Sequence, residues 1–241
     1  MTRRWIIRAA CFAAMACWCA VVYPQPGKDP DGDTILRNAE SRLSSLQDYT
    51  VTLGITVDVE RLNVPPMQVR MYFKQPDRVH FDAKGFAMLP REGLAMNIGR
   101  LRARYDPGSV DRDTLGGLPV YRVTLRAKSD RNRVRTILLY VHPRRWTVEK
   151  IVSPGMNDRV MSATFTYAQV QGFWLPEEMV ASFSTSPADS TDPDLLMDKQ
   201  MPVRPQGRPR AGSVTVRYSG YAVNTGLSDD LFKEDAGKSP D

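Results

Sequence analysis

Catalysis needs nucleophiles, titratable bases or metal ligands gathered at one place, and this chain is poor in all three. It has two histidines, His80 and His142. His80 lies on the polar side of an alternating stretch and His142 precedes Pro143 at a turn, so both read as solvated or hydrogen-bonded structural residues. Glu177 and Glu178 are neighbours in another alternating stretch, where adjacent side chains point to opposite faces, so they cannot share a substrate as acid and base. The aspartates between Asp189 and Asp198 lack the glycine and closing glutamate of an EF-hand loop, and calcium is not expected there. No Gly-x-Ser-x-Gly, His-Glu-x-x-His or glycine-rich phosphate loop occurs. The sequence therefore offers no catalytic residue, no metal site and no cofactor site. It points to a protein that is not an enzyme and works by binding.

The three cysteines, Cys11, Cys17 and Cys19, all fall in the first nineteen residues. That region begins Met1-Thr-Arg-Arg-Trp-Ile-Ile-Arg8 and continues through small and apolar residues from Ala9 to Tyr23. A basic start, an apolar run and a small-x-small site at Ala14-Met15-Ala16 describe a signal peptide over 1–23. Its removal would leave a thiol-free protein outside the cytoplasmic membrane, most simply in a bacterial periplasm. Thr2 to Arg8 is also close to a twin-arginine signal, and the residues before Cys17 weakly match a lipoprotein-processing box, which would give a membrane-anchored lipoprotein instead. Residues 24–32 read as a linker, 33–232 as one domain and 233–241 as a disordered tail. The formal charge of +6 includes Arg3, Arg4 and Arg8; without them 30 basic residues face 27 acidic ones, a net of +3. That balance does not describe a nucleic-acid binder, which needs a concentrated basic face with stacking aromatics. Arg126, Lys128, Arg131, Arg133 and Arg135 cluster at the Ser129-Asp130 turn, where a solvated hairpin end and an anion-docking tip both fit.

The elements that must present any binding surface are mostly strands. Asp31 or Asp33 can cap a helix running to about Leu46, with Ile35, Leu36, Ala39, Leu43 and Leu46 on one face. Tyr49, Val51, Leu53, Ile55, Val57 and Val59 then alternate with Thr50, Thr52, Gly54, Thr56, Asp58 and Glu60. Val69, Met71 and Phe73 form the next apolar face, and Val79 and Phe81 continue it beyond the Gln75-Pro76-Asp77 turn. Further strands are expected at Leu118–Lys128, Arg133–His142, Trp146–Ser153, Arg159–Val170, Phe173–Ser184 and Ser213–Val223. One helix followed by eight or more antiparallel strands predicts a mainly β protein, a large curved sheet or incomplete barrel with the helix on its concave side.

Two segments break the rhythm. Residues 85–98 are apolar yet neither alternating nor clearly helical. They could fill the core as a connection, or cover an apolar concavity as a lid formed by Phe86, Met88, Leu89, Leu94 and Met96. Residues 185–212 contain Pro187, Pro193, Pro202, Pro205 and Pro209 among many charges, and are expected to form an exposed, mobile loop.

Several phrases, in this order, are similar to those of the LolA family. They are Leu46-Gln-Asp-Tyr-Thr50, Met71-Tyr-Phe-Lys-Gln-Pro-Asp-Arg78, Gly85-Phe-Ala-Met-Leu-Pro-Arg91, Gly172-Phe-Trp-Leu-Pro176 and Asn224-Thr-Gly-Leu-Ser228. The chain resembles the outer membrane lipoprotein-sorting branch from about Asp31 to Phe232. The resemblance implies an unclosed half-barrel with an N-terminal helix and a lid on its concave side. It also implies a periplasmic carrier that holds the acyl chains of a lipoprotein or another lipid and delivers them towards the outer membrane. The partners would then be an inner-membrane transporter and an outer-membrane acceptor, with the carrier a monomer. The lipid-binding residues expected on this basis are Leu53, Ile55, Val57, Val69, Met71, Phe73, Val79 and Phe81. A lipid-sensing regulator or an anchored receptor of the same fold is the alternative, and an envelope hydrolase is the reading from another class. The docking residues for a transporter have no counterpart in this chain, nor does the proline-rich 185–212 loop match the carriers.

Overall fold

Asp31 opens the first element as its side chain accepts the Thr34 backbone N–H at 2.8 Å, an N-cap that satisfies one of the orphan donors of a helix. The computed structural model describes residues 29–59, 63–82, 97–130, 132, 134–154, 159–185 and 211–233. Helix α1, Gly32–Ser41, is shorter than the spacing predicts. Residues 42–45 are turns, although Leu46 remains fully buried. Ten strands follow: β1 Asp48–Val59, β2 Met67–Lys74, β3 Arg78–Asp82, β4 Tyr105–Leu115, β5 Leu118–Ala127, β6 Thr136–Val141, β7 Val148–Pro154, β8 Arg159–Val170, β9 Phe173–Thr185 and β10 Ala211–Val223. A second helix, α2 Ile98–Arg104, precedes β4, and a single 3-10 turn, Asp229–Phe232, follows β10.

The strands form one antiparallel sheet in the order β3-β2-β1-β10-β9-β8-β7-β6-β5-β4. The first and last strands pair in the middle, Tyr49 opposite Val223 and Val57 opposite Val214. The edges β3 and β4 do not pair with each other, so the barrel stays unclosed. Helix α2 bridges this gap. Asn97 donates to the Pro76 carbonyl at 3.2 Å and Arg100 pairs with Asp77 at 3.0 Å, tying the start of α2 to the β2–β3 turn, while its end runs directly into β4.

Helix α1 lies on the inner face of the β4–β7 half. Ile35, Leu36 and Ala39 pack there with Val123, Leu125, Leu139, Val141 and Val148, all at most 1 % exposed. The approach is close enough to require glycine at the helix start, since a Cβ on Gly32 would stand 2.7 Å from the Pro107 Cβ. Arg102 joins α2 to α1 by pairing with Glu40 at 2.5 Å and Asp33 at 3.3 Å. Ile98, grouped with the non-periodic stretch by sequence, is instead buried against this two-helix core.

Candidate functional site

Directly opposed residues in an antiparallel pair share a face, so the register traces a surface across the sheet. One such row runs Val110, Val123, Leu139, Ile151, Ala163, Ala181, Val214, Val57, from β4 to β1. No polar side chain interrupts it over eight strands. Its β5–β6 section lies fully buried in the core that includes α1, whereas Ile151, Ala163, Ala181, Val214 and Val57 are only half-buried. A neighbouring row runs Phe165, Met179, Val216, Ile55, Met67. The second row is buried except for Met67, so the inner face beyond the helix is continuously apolar, with the half-buried part of the first row as its accessible portion.

The eight residues singled out by sequence all lie on this face. Tyr49, Val51, Leu53 and Ile55 oppose Phe73, Met71, Val69 and Met67, and Met71 and Phe73 oppose Phe81 and Val79. They differ in burial. Leu53, Ile55, Val69, Met71 and Phe81 are core residues at 9 % exposure or less, while Val57, Phe73 and Val79 are half-buried and packed against them. The sequence reading did not reach Ala163, Ala181 and Val214, because small or lone apolar residues in a strand carry little signal by themselves. The lid residues Phe86, Met88, Leu89, Leu94 and Met96 lie outside the described residues, as do 1–28, 186–210 and 234–241.

At one end the inner face becomes aromatic. Tyr49 stacks on Phe73 at 5.0 Å between ring centroids and meets Tyr221 at 5.7 Å. A register shift between Thr50 and Thr52 accompanies the left-handed Gly220 of β10, φ 65°, and brings both Tyr218 and Tyr221 inward although they are three residues apart. Tyr221 donates to the Pro176 carbonyl and Tyr167 to the Val148 carbonyl, each at 2.7 Å. Burial drives the phenol pKa values of Tyr49, Tyr167, Tyr218 and Tyr221 well above the ordinary tyrosine range.

Into this collar reaches Arg42, the C-cap residue of α1. Its guanidinium donates to the Trp174 carbonyl at 2.7 Å and lies 5.6 Å above the Tyr167 ring. Desolvation lowers its pKa, offset in part by Tyr167, Tyr49 and Glu149. Beside it Arg145 sits 4.9 Å over the Trp174 ring and reaches Glu149 at 3.2 Å. The buried Glu149 also accepts the Thr147 hydroxyl at 2.5 Å.

Arg145 is held by the β6–β7 turn, where His142 plays the structural part expected of it. Its Nδ1 accepts the backbone N–H groups of Arg144 and Arg145 at 3.1 and 3.0 Å. The turn forces Trp146 to φ 56°, a costly conformation for a bulky residue. Burial, then Arg145, lowers the His142 pKa. The folded value thus lies below the unfolded one, so this residue stabilises the fold above about pH 6.5, and that contribution is lost as pH falls. His142→Asn should flatten the acid side of the stability curve. Thermal unfolding of both proteins between about pH 7.5 and about pH 5 measures it; parallel curves would refute the assignment.

Three of the phrases quoted from the sequence meet at this same end. Asp48, 2 % exposed, accepts the backbone N–H groups of Thr225, Gly226 and Leu227 at 2.8, 3.0 and 3.1 Å. Asn224, at φ 54°, accepts Gln47 N–H at 2.8 Å. Lys74 reaches the Leu227 carbonyl and Asp229, and Gln75 donates to the Leu43 and Leu46 carbonyls. They are thus structural staples closing the sheet's central seam.

The outer face carries a concavity of about 590 Å³ near the other end of the sheet, lined by Asp58, Val160, Ser162, Ser182, Ser184 and Ser213 among others. Phe183, Ala211 and Gly212 complete its lining, and most of its residues alternate with those of the apolar rows and so lie on the opposite side of the sheet. Among the described residues no group of three His, Cys, Asp or Glu side chains could hold a metal ion, and no helix is long and apolar enough to cross a membrane.

No family model matches the chain, and no curated protein matches its sequence. Solved structures do match it. A domain from Vibrio parahaemolyticus described as an outer membrane lipoprotein-sorting protein superposes with a TM-score of 0.60 at 12 % identity, over 83 % of this chain and 97 % of that one. A LolA superfamily protein from Nitrosomonas europaea gives 0.53 at 12 % identity, over 86 % and 100 %. A DUF1329 family protein from Desulfovibrio piger gives 0.60 at 14 % identity, over 86 % and 99 %. An unclosed antiparallel sheet with a helix on its inner face, and superposition on these structures along nearly their whole length, give this chain a LolA-like fold.

Proposed function

We propose that the protein is a non-catalytic carrier that holds acyl chains of a lipoprotein or another lipid against the inner face of its half-barrel, in the periplasm, and passes them towards the outer membrane. The observation that carries this reading is the apolar row across eight strands, of which α1 covers only one section. Each methylene withdrawn from water recovers about 0.8 kcal/mol, so a long chain is held by a continuous lining and by no single decisive contact. Apolar walls with half-buried valine, alanine and methionine suit that task, and methionine repacks around chains of different shape. Lipoprotein sorting, named for the Vibrio domain, supports an acylated cargo. Release needs only a receiver of higher affinity.

Native protein purified from the envelope and extracted with organic solvent should yield lipid at near-stoichiometric amounts by mass spectrometry. Labelled lipid loaded on the protein should move to acceptor vesicles faster than it leaves donor vesicles alone. A lipid-free protein that turns over an envelope substrate would sink the carrier reading.

A further inference from the structure

Beyond an apolar lining, we propose that Arg42, assisted by Arg145, forms an anion subsite at the aromatic end of the inner face, so that the cargo is an amphiphile with a negatively charged group next to its acyl chain. This rests on the carrier reading, since it assigns the chemistry of one end of the same inner face. Three observations carry it.

The first is charge balance. Two guanidinium groups and one carboxylate, Glu149, meet around Trp174 and Tyr167. Glu149 is already engaged by Arg145 and by Thr147, and among the described residues Arg42 makes no ion pair with a carboxylate. One positive charge is left over in a desolvated place. Arg42 is half-buried and its charge is only partly offset by Glu149, and an anion supplied by a ligand would remove the remaining cost.

The second is donor geometry. The Arg145 Nε is buried without a hydrogen-bond partner, and the Arg42 fork commits Nη1 to the Trp174 carbonyl. Guanidinium groups present a planar set of five donors suited to carboxylate or phosphate oxygens. The third is position. The Tyr167 ring beneath Arg42 is 6.5 Å from Phe165, which begins the row Phe165, Met179, Val216, Ile55. That row is buried, and beside it lie the half-buried Ala163, Ala181 and Val214, so a head at the cationic end and a tail along these residues fit one molecule. Arg42 would touch the ligand's oxygens, whereas Arg145 is fixed by Glu149 and would contribute chiefly its Nε.

A carboxylate lipid and its neutral ester test this directly. Palmitate and methyl palmitate compete for the uncharged fluorescent probe N-phenyl-1-naphthylamine on the whole exported protein. The wild type should prefer palmitate by roughly 10- to 100-fold, the range of a hydrogen-bonded charge pair. Arg42→Met should bring the ratio close to one while the ester still binds, and Arg42→Lys should keep part of the preference. Ester bound as tightly as acid by the wild type would overturn the anion subsite and leave the carrier reading standing. Failure of both to bind would sink the carrier reading itself. Because the acid-to-ester ratio is read on the wild type, a variant that fails to fold does not blunt the test. Inorganic phosphate alone supplies the last arm: if it displaces neither acid nor ester, the subsite serves a headgroup attached to a chain. If it displaces the ester as readily as the acid at constant ionic strength, the anion does not act at a subsite for the carboxylate and the proposal fails.

Discussion

Asp48→Ala should cost the protein roughly 3–5 kcal/mol of stability, because it strands three backbone donors that share one carboxylate. The loss should be read as a fall in melting temperature on the order of 10 °C for a domain of this size. The carboxylate sits at the start of β1 and holds the turn after β10, so it locks the two strands that join the halves of the sheet. Asp48→Asn retains an acceptor oxygen but loses the charge, and should fall between wild type and alanine. Urea unfolding monitored by tryptophan fluorescence compares the three. A change below about 1 kcal/mol for alanine, the net worth of an ordinary hydrogen bond, would show that the turn is held by other contacts.

Acyl-chain uptake should separate adjacent residues by the face they occupy. Ala163→Asp and Val214→Asp place a carboxylate in the half-covered apolar row, and each should weaken binding of a neutral acyl probe by tenfold or more, since charge would be stranded against hydrocarbon. Thr164→Asp and Thr215→Asp change the next residue on each strand, on the outer face, and should bind as wild type does. Thr164 is opposite Lys150 in the register, where an added carboxylate is well placed. These positions serve better than Met71 or Phe81, whose burial in the core would mix unfolding with loss of binding. Melting temperatures measured on the same samples keep the two effects apart. Equal loss of probe binding from both faces at unchanged melting temperature would remove the inner face as the binding surface.

Much of the sheet was legible because a strand with one buried face writes its alternation into the sequence. The strands from Leu118 onward and the face shared by Val51, Met71 and Phe81 follow from that period, with ends displaced by up to about three residues. What escaped did so for physical reasons. Strand β4, Tyr105–Leu115, carries Asp106, Pro107, Gly108, Asp111, Arg112 and Asp113, the charged and bulged composition of an edge, and shows no alternation. Helix α2 is seven residues long, too short for a helical period to emerge. Tyr218 and Tyr221 share a face only because of the bulge near Gly220, which a strict period of two forbids. Helical spacing puts Arg42 opposite the apolar stripe of Ile35, Leu36, Ala39 and Leu43, with nothing to mark it. Its environment is made by Trp174, 132 residues away, and no local pattern could report it.

The strand order has a kinetic consequence. Read from one edge, the sequence β4, β5, β6, β7, β8, β9, β10, β1, β2, β3 is a plain up-and-down meander, interrupted only by where the polypeptide happens to begin and end. Every pairing but one joins neighbours along the chain. The exception, Tyr49 with Val223, must wait until β10 has been synthesised, and it closes a loop that contains every other strand of the sheet. Two hairpin-built halves can therefore organise early, whereas their union is the slow, non-local event that contact order penalises. A circularly permuted gene beginning with α2 and β4 and ending at β3 would keep every strand pairing and turn that last long-range closure into a local one.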